Sequence, residues 1–459
     1  MRLADSPPRA ARIRLTDATI RVFERTIPDP FVLALLITAF VAVLAVAIAP
    51  RATPAAMIGG WTKGFFDILT FTAQMALVFA TGHALAHAPL VQRAFRAIVS
   101  FARTPAQAAT LVFLSVAVTS FINWAFGLVI SALLAREVAK RLRVDFAWIV
   151  ACGFSGWVVW ASGLSSSIAL AQSTPGSAMN VVEKLTGHVL PFGETVLTRF
   201  NLVPTLAMLV LTPALLVWLM PDPARAEALS PDIQPASPPA SASAAPGAAG
   251  RRSPAQWLER SCVLSVLAGL FGLSVLGLAY AGRIPLAGVN VVILAMLTAG
   301  VLLHGHPLAY ARAIKQATAQ TGSLLIQYPL YGGIMGLMDA TGLPGVISHG
   351  FIAIATTDTL PFWSYVCSLA ITFLIPSGGG HWAVQGPFVV PAAVALHASL
   401  PATTMAVAMG EQVSNMMQPF WVAPVVAMAG IGVQRVLGYT ALTFVLGAIV
   451  YGCALLWLV

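Results

Sequence analysis

Apolar runs of nearly membrane-crossing length recur along the chain, at 31–49, 66–87, 147–169, 200–220, 262–281, 289–303, 324–338 and 437–459. A helix needs about 20 apolar residues to cross a hydrocarbon core, so this spacing predicts an all-α polytopic membrane protein. Two further apolar stretches are interrupted. Residues 104–134 carry Asn123-Trp124-Ala125-Phe126-Gly127 at their middle, and 360–396 carry Pro376-Ser377-Gly378-Gly379-Gly380. Two short apolar arms around a polar, glycine-bearing tip predict a re-entrant hairpin at each place.

Charge supplies an orientation. Six arginines precede Pro28, so the positive-inside rule places the N-terminus in the cytoplasm of an inner (plasma) membrane. Within this tail, residues 1–27, Ile13, Thr16, Ile20, Phe23 and Ile27 share a helical face, which predicts an amphipathic surface helix. The tail and first run are too long for a cleaved leader, despite the alanine pattern at Ala45, Ala47 and Ala49. Basic residues flank the first interrupted segment on both sides, Arg93, Arg96 and Arg103 before it and Arg136, Lys140, Arg141 and Arg143 after it. That hairpin should therefore open to the cytoplasm. No Lys or Arg occurs between Lys315 and Arg435, so the second hairpin should open to the opposite side.

The two halves echo one another. Asn123 and Ser377 are 254 residues apart, Gln74 matches Gln327, and Gly153 with the Ser162–Ser167 run matches Gly410 with the polar run after it. The predicted plan is two inverted-topology repeats, each with a re-entrant hairpin and an interrupted helix, arranged as scaffold plus transport domain. The first repeat covers 28–220, a Pro/Ala/Ser-rich cytoplasmic linker 221–256, a connecting transmembrane helix 257–286, and the second repeat 287–459.

Composition agrees. Of 459 residues, 58% are hydrophobic and 9% charged, with a mean hydropathy of +0.85. That is too few charges for a soluble surface. The net charge of +9 sits at the ends of apolar runs, which excludes a nucleic-acid partner. Cys152, Cys262, Cys367 and Cys453 stand singly, without metal-ligand or disulfide spacing. No cofactor and no firm metal site is expected.

Three clusters carry candidate chemistry. Pro376 stops a helix and Gly378, Gly379 and Gly380 leave backbone N–H groups uncovered at the next helix start, a natural anion site joined by Ser377, His381 and Gln385. The facing tip offers Asn123 and Gly127, with Asn123 free either to bind a ligand or to cap its own helix. Glu411 is a carboxylate within a membrane run, with Gln412, Asn415 and Gln418 on nearby positions; it suits a proton or a sodium ion. Ser162, Ser165 and Ser166 are its first-half counterparts. Thr174-Pro175-Gly176 reads as a turn near the site, and Trp61, Trp157, Trp160 and Trp421 as interface anchors or packing. His83, His87, His304 and His306 read as span-end residues. Gly153-Phe154-Ser155-Gly156 with His381 also spells a distant alternative, an intramembrane serine hydrolase.

At these residues the chain resembles the short-chain fatty acid transporter family, of the acetoacetate and butyrate permease type, within the ion transporter superfamily. Asn123-Trp124 with Phe126-Gly127, Pro376 to Trp382 with Gln385-Gly386-Pro387, and Gly410-Glu411-Gln412 with Asn415-Met416 and Gln418-Pro419 carry the resemblance. It implies a non-enzymatic transporter of small monocarboxylates, H⁺- or Na⁺-coupled, working by an elevator motion as a homodimer. A sodium site near Asn123 and Ser377 is one form of that coupling. A cation:proton antiporter on the same scaffold is the alternative.

Overall fold

A computed structural model describes residues 30–221, 254–318, 321–373, 375–419, 421–422, 425–426 and 431–459. The expected tail helix and nearly all of the expected linker lie outside these residues. The first half contains α1 (Pro30–Ile48), α2 (Pro54–Asp67), α3 (Leu69–Ala86), α4 (Pro89–Ser100), α5 (Pro105–Ile122), α6 (Trp124–Ala139), α7 (Phe146–Ser155), α8 (Ser167–Gln172), α9 (Val181–Thr186) and α10 (Arg199–Trp218). Then follow α11 (Pro254–Glu259), α12 (Cys262–Tyr280), α13 (Val289–His304), α14 (Pro307–Thr318), α15 (Gly322–Thr341), α16 (Leu343–Ile354), α17 (Leu360–Ile371), α18 (Gly378–Ala395), α19 (Leu400–Ser414) and α20 (Val433–Trp457). Every element among the described residues is helical.

The same series of helices occurs twice. Helices α1 to α7 with α10 correspond in order and packing to α13 to α19 with α20, and α12 is the unmatched connection. The correspondence is crossed: α15 packs on α1 and α2, while α3 packs on α13 and α14. Each half thus holds an inner helix of the other. Glycines make the α2–α15 crossing close, since a Cβ on Gly60 or Gly64 would run into the backbone of Gly336 or Gly332.

The outer helices present apolar side chains outward, with Phe271 72%, Val210 69% and Phe40 64% exposed. Among the described residues, six helical stretches are long and apolar enough to cross a bilayer, or seven counting the bent α15–α16 pair. The protein is a multi-pass membrane protein. Around the centre, by contrast, α7, α8, α18 and α19 are buried almost throughout.

Both interrupted segments fold back as helical hairpins. In the first, Gly127 packs directly on Ser120 of the facing arm. In the second, His381 meets Thr372, and Gln385 Nε2 donates to the Ser364 carbonyl (2.8 Å). One expectation needs correction. The arms of the first hairpin are not short, because α6 continues past Leu134 through Arg136 to Ala139, and α5 has 18 residues. Thr104 caps α5 through the Gln107 N–H, and Arg136, which marks the far boundary in sequence, sits inside α6.

Candidate functional site

The two tips share one local conformation. Asn123 has φ −150° and ψ 120°, and Ser377 has φ −145° and ψ 117°. Each is an extended residue at the N-cap of the next helix; Asn123 also ends the preceding arm, whereas the arm before Ser377 ends at Ile371. Their hydrogen bonding differs. Asn123 Oδ1 accepts from the Phe126 N–H (3.0 Å), and its Nδ2 donates to the Val78 carbonyl on α3 (3.1 Å). The Trp124 N–H donates to Ser165 Oγ (2.8 Å). The first tip therefore spends most of its amide donors on itself and its surroundings.

The second tip spends fewer of them, the Gly379 backbone meeting the Tyr328 hydroxyl. Ser377 makes no side-chain cap bond, and only the fourth amide, that of His381, returns to the Ser377 carbonyl (2.6 Å). The N–H groups of Gly378, Gly379 and Gly380 occupy the first turn, where no intrahelical acceptor exists. Phe71, Tyr328 and Tyr331 wall this turn so closely that a Cβ on Gly379 would lie 2.5 Å from both the Phe71 and Tyr328 rings. The Tyr328 hydroxyl faces Ser377, the Gly379 backbone and Glu411.

Glu411 completes the candidate site. It is fully buried, and neither carboxylate oxygen has a hydrogen-bond acceptor or donor of good geometry among the described residues. Asn415 is the polar side chain beside it, one turn along. A Cβ placed on Gly378 would lie 3.0 Å from Glu411 Oε2 and 2.8 Å from Ser167 Oγ. Ser165 touches the first tip and Ser167 the second, so the two tips lie at the ends of one three-residue segment.

Helix breaks on both sides bring these groups together. Helix α7 gives way to a 3₁₀ turn, Gly156–Ser162, and α19 to another, Asn415–Met417. Gln412 clamps the two: its Oε1 accepts from the Ser162 N–H (2.9 Å) and its Nε2 donates to Ser162 Oγ (2.8 Å). Ser166 caps α8, and Gln418 Nε2 donates to the Thr372 carbonyl (2.7 Å). Replacing Gln412 by Leu strands the buried Ser162 N–H, at about 1–3 kcal/mol, and leaves the Ser162 hydroxyl to Tyr451. The expected outcome is a lower thermal unfolding midpoint for the purified protein.

His381 and Gln385 bond to each other and to the first arm of their own hairpin, through Thr372 and Ser364. The tryptophans form a cluster that sequence reading did not anticipate. Trp124, Trp157, Trp160 and Trp421 are all buried, with ring centroids 5.1 Å (157–421), 5.3 Å (157–160) and 5.7 Å (124–421) apart. They pack between the tips and are not interface anchors. Trp421 Nε1 donates to the Pro376 carbonyl (2.6 Å) and Trp157 Nε1 to the Trp124 carbonyl (2.8 Å), so the cluster braces both breaks. Thr174 docks its turn onto the start of α13 by accepting from the Val289 N–H (3.2 Å). Ser155 pairs with Thr443 (3.0 Å), while His381 bonds to Thr372 and Gln385, so the two do not form the nucleophile–base pair that a hydrolase needs.

A family model described as short chain fatty acid transporter matches residues 12–458. The chain belongs to the short-chain fatty acid transporter family. Two relatives bear the name "Putative short-chain fatty acid transporter". That of Escherichia coli (strain K12) is 40% identical over 441 residues, covering 94% of this chain and 97% of the relative. That of Haemophilus influenzae is 37% identical over 424 residues, covering 91% and 94%. This transporter is not an enzyme. Its fold is similar to that of the YdaH transporter of Alcanivorax borkumensis, whose topology is described as unusual (TM-score 0.59, 14% identity, 93% of this chain and 98% of that one). It is also similar to that of MtrF of Neisseria gonorrhoeae, described within a class of antimetabolite efflux pumps (TM-score 0.60, 13% identity, 96% and 97%).

Proposed function

We propose that the protein carries short-chain monocarboxylates across the inner membrane together with a proton or a sodium ion. The observation that carries this reading is the first turn of α18, which Ser377 does not cap with its side chain, beside the buried Glu411, whose polar neighbour is Asn415. Free N–H groups at a helix start and the positive end of its dipole bind a carboxylate without any cationic side chain. Gly378 and Gly380 supply the amides, and Ser377 and Tyr328, which meets the Gly379 backbone, supply hydroxyls. The first tip, with Asn123 and Gly127, closes the other side.

Glu411 then sets the coupling. A substrate carboxylate on Gly378 and an ionised Glu411 would be near neighbours. At about 4 Å and an effective dielectric of about 20, two like charges repel by roughly 4 kcal/mol. The site therefore accepts the anion only when Glu411 holds a proton or a metal cation. Bound carboxylate and bound cation travel as one neutral load.

In this reading both hairpins are re-entrant and open to opposite sides, with the N-terminus cytoplasmic. They ride with α7, α8 and α19 as a transport domain. The outer helices form the scaffold of a homodimer, and the transport domain moves as an elevator between the two faces. Labelled butyrate should accumulate in proteoliposomes containing the purified protein and should be displaced by unlabelled acetoacetate. Absence of carboxylate uptake under every imposed gradient would overturn the reading.

A further inference from the structure

We propose that the cavity between Arg51 and Lys184 is an entrance site that captures the carboxylate group of a small apolar-tailed anion before it reaches the hairpin tip. The inference rests on the carboxylate reading above and adds to it a second, outlying site. The cavity holds about 600 Å³ and is lined by Pro50, Val181, Leu185, Met335, Pro387 and Pro391 beside Arg51, Lys184 and Asp339.

Its charges are held in place by the fold. Arg51 follows α1, and its backbone N–H donates to the Thr341 carbonyl (3.1 Å) at the end of α15. There Gly342, with φ +74°, turns the chain by 81° into α16. The Arg51 guanidinium lies over that corner, with Nη2 3.4 Å from the place of a Gly342 Cβ. Lys184, on α9, is fixed by donating from Nζ to the Ala178 carbonyl (2.6 Å). Asp339 is the larger of the two opposing charges that act on Lys184, Asp67 being the other. Nearby Lys63 and Asp67 pair with one another (3.1 Å), which leaves the cavity with an excess of positive charge.

The cavity also points at the site. Met335 lies one helical turn from Tyr331, whose ring packs on Gly380. Pro387 lies nine residues along α18 from Gly378, about 14 Å at 1.5 Å per residue. An anion held by Arg51 and Lys184, with its tail on Met335, Val181 and the two prolines, is thus aligned along α15 and α18 with the amides of the tip. Capture by partly exposed charges is modest in energy and is screened by salt.

Two readouts test this separately from the transport reading. In uptake, Arg51→Gln with Lys184→Gln should raise the KM for butyrate about fivefold or more at low ionic strength, with the maximal rate held. Asp339→Asn, which removes the competing carboxylate, should lower it. An unchanged KM in the double variant, in a wild type that does transport, would overturn the entrance site alone. The second readout needs no transport. In a Cys262→Ser background, Leu185→Cys should react with a soluble maleimide, and butyrate should slow that reaction at least about twofold unless Arg51→Gln is present. No slowing by butyrate would overturn the entrance site even where uptake is normal. Slowing without uptake in the wild type would uphold it while removing the transport reading.

Discussion

Glu411→Gln should abolish cation-driven accumulation of butyrate while leaving exchange of butyrate across the membrane. The reason is the position of the side chain. Its Oε2 lies 3.0 Å from where a Cβ on Gly378 would stand, and Asn415 is the polar side chain beside it. Glutamine has the shape of the protonated acid but cannot release or accept the coupling cation. The variant should bind substrate as the loaded wild type does and move between faces only when loaded. The repulsion of roughly 4 kcal/mol that links the two ligands corresponds to about a thousandfold in affinity. Its removal should thus take gradient-driven uptake to background, a fall of at least about tenfold, while counterflow stays within about threefold of wild type. Loss of counterflow together with uptake would assign Glu411 to substrate binding or folding instead.

The second large effect falls on the tip itself. Gly380→Ala should strongly reduce transport, because the new methyl group would run into the ring of Tyr331, buried and held on α15. Forcing a carbon into such a contact costs typically about 1–3 kcal/mol in displaced neighbours. Here the displaced neighbour is a wall of the candidate site, so initial uptake should fall roughly tenfold. Two companions separate the site from general damage. Tyr331→Leu in the same chain should recover part of the rate by making room. Gly350→Ala, where a Cβ meets nothing within 4 Å, should leave uptake and unfolding midpoint unchanged. If Gly380→Ala transports as wild type, the close wall around the tip is not required.

Much of this architecture was legible from residue order. The run at 262–281 became α12, Cys262–Tyr280, and that at 200–220 became α10, Arg199–Trp218, because an unbroken apolar segment has one solution in lipid. The three glycines after Pro376 and Ser377 open a helix as read, with Ser377 as its extended N-cap, but the preceding helix already ends at Ile371, before Pro376. Asn123 was legible as a break, and the structure uses its Oδ1 as the cap.

What stayed hidden depends on long-range packing. Phe71, Tyr328 and Tyr331 are ordinary aromatic residues in apolar helices, and nothing local says that they press on Gly379 and Gly380. Trp124, Trp157, Trp160 and Trp421 come from three separate places in sequence, and tryptophan in a membrane chain reads first as an interface residue. Arg51, Lys184 and Asp339 are each unremarked span-end charges until the 81° corner at Gly342 brings them around one cavity. The crossed packing of α3 and α15 into opposite halves also has no sequence signature.

The central claim is that anion and cation share one site at the α18 tip and Glu411. Its most direct test is the ion flux evoked when butyrate is added to proteoliposomes with no gradient imposed, followed by internal pH and sodium indicators. The account predicts inward movement of protons or of sodium ions that saturates with butyrate and vanishes in Glu411→Gln. Butyrate entry without any accompanying cation, or a flux unchanged in Glu411→Gln, would contradict it.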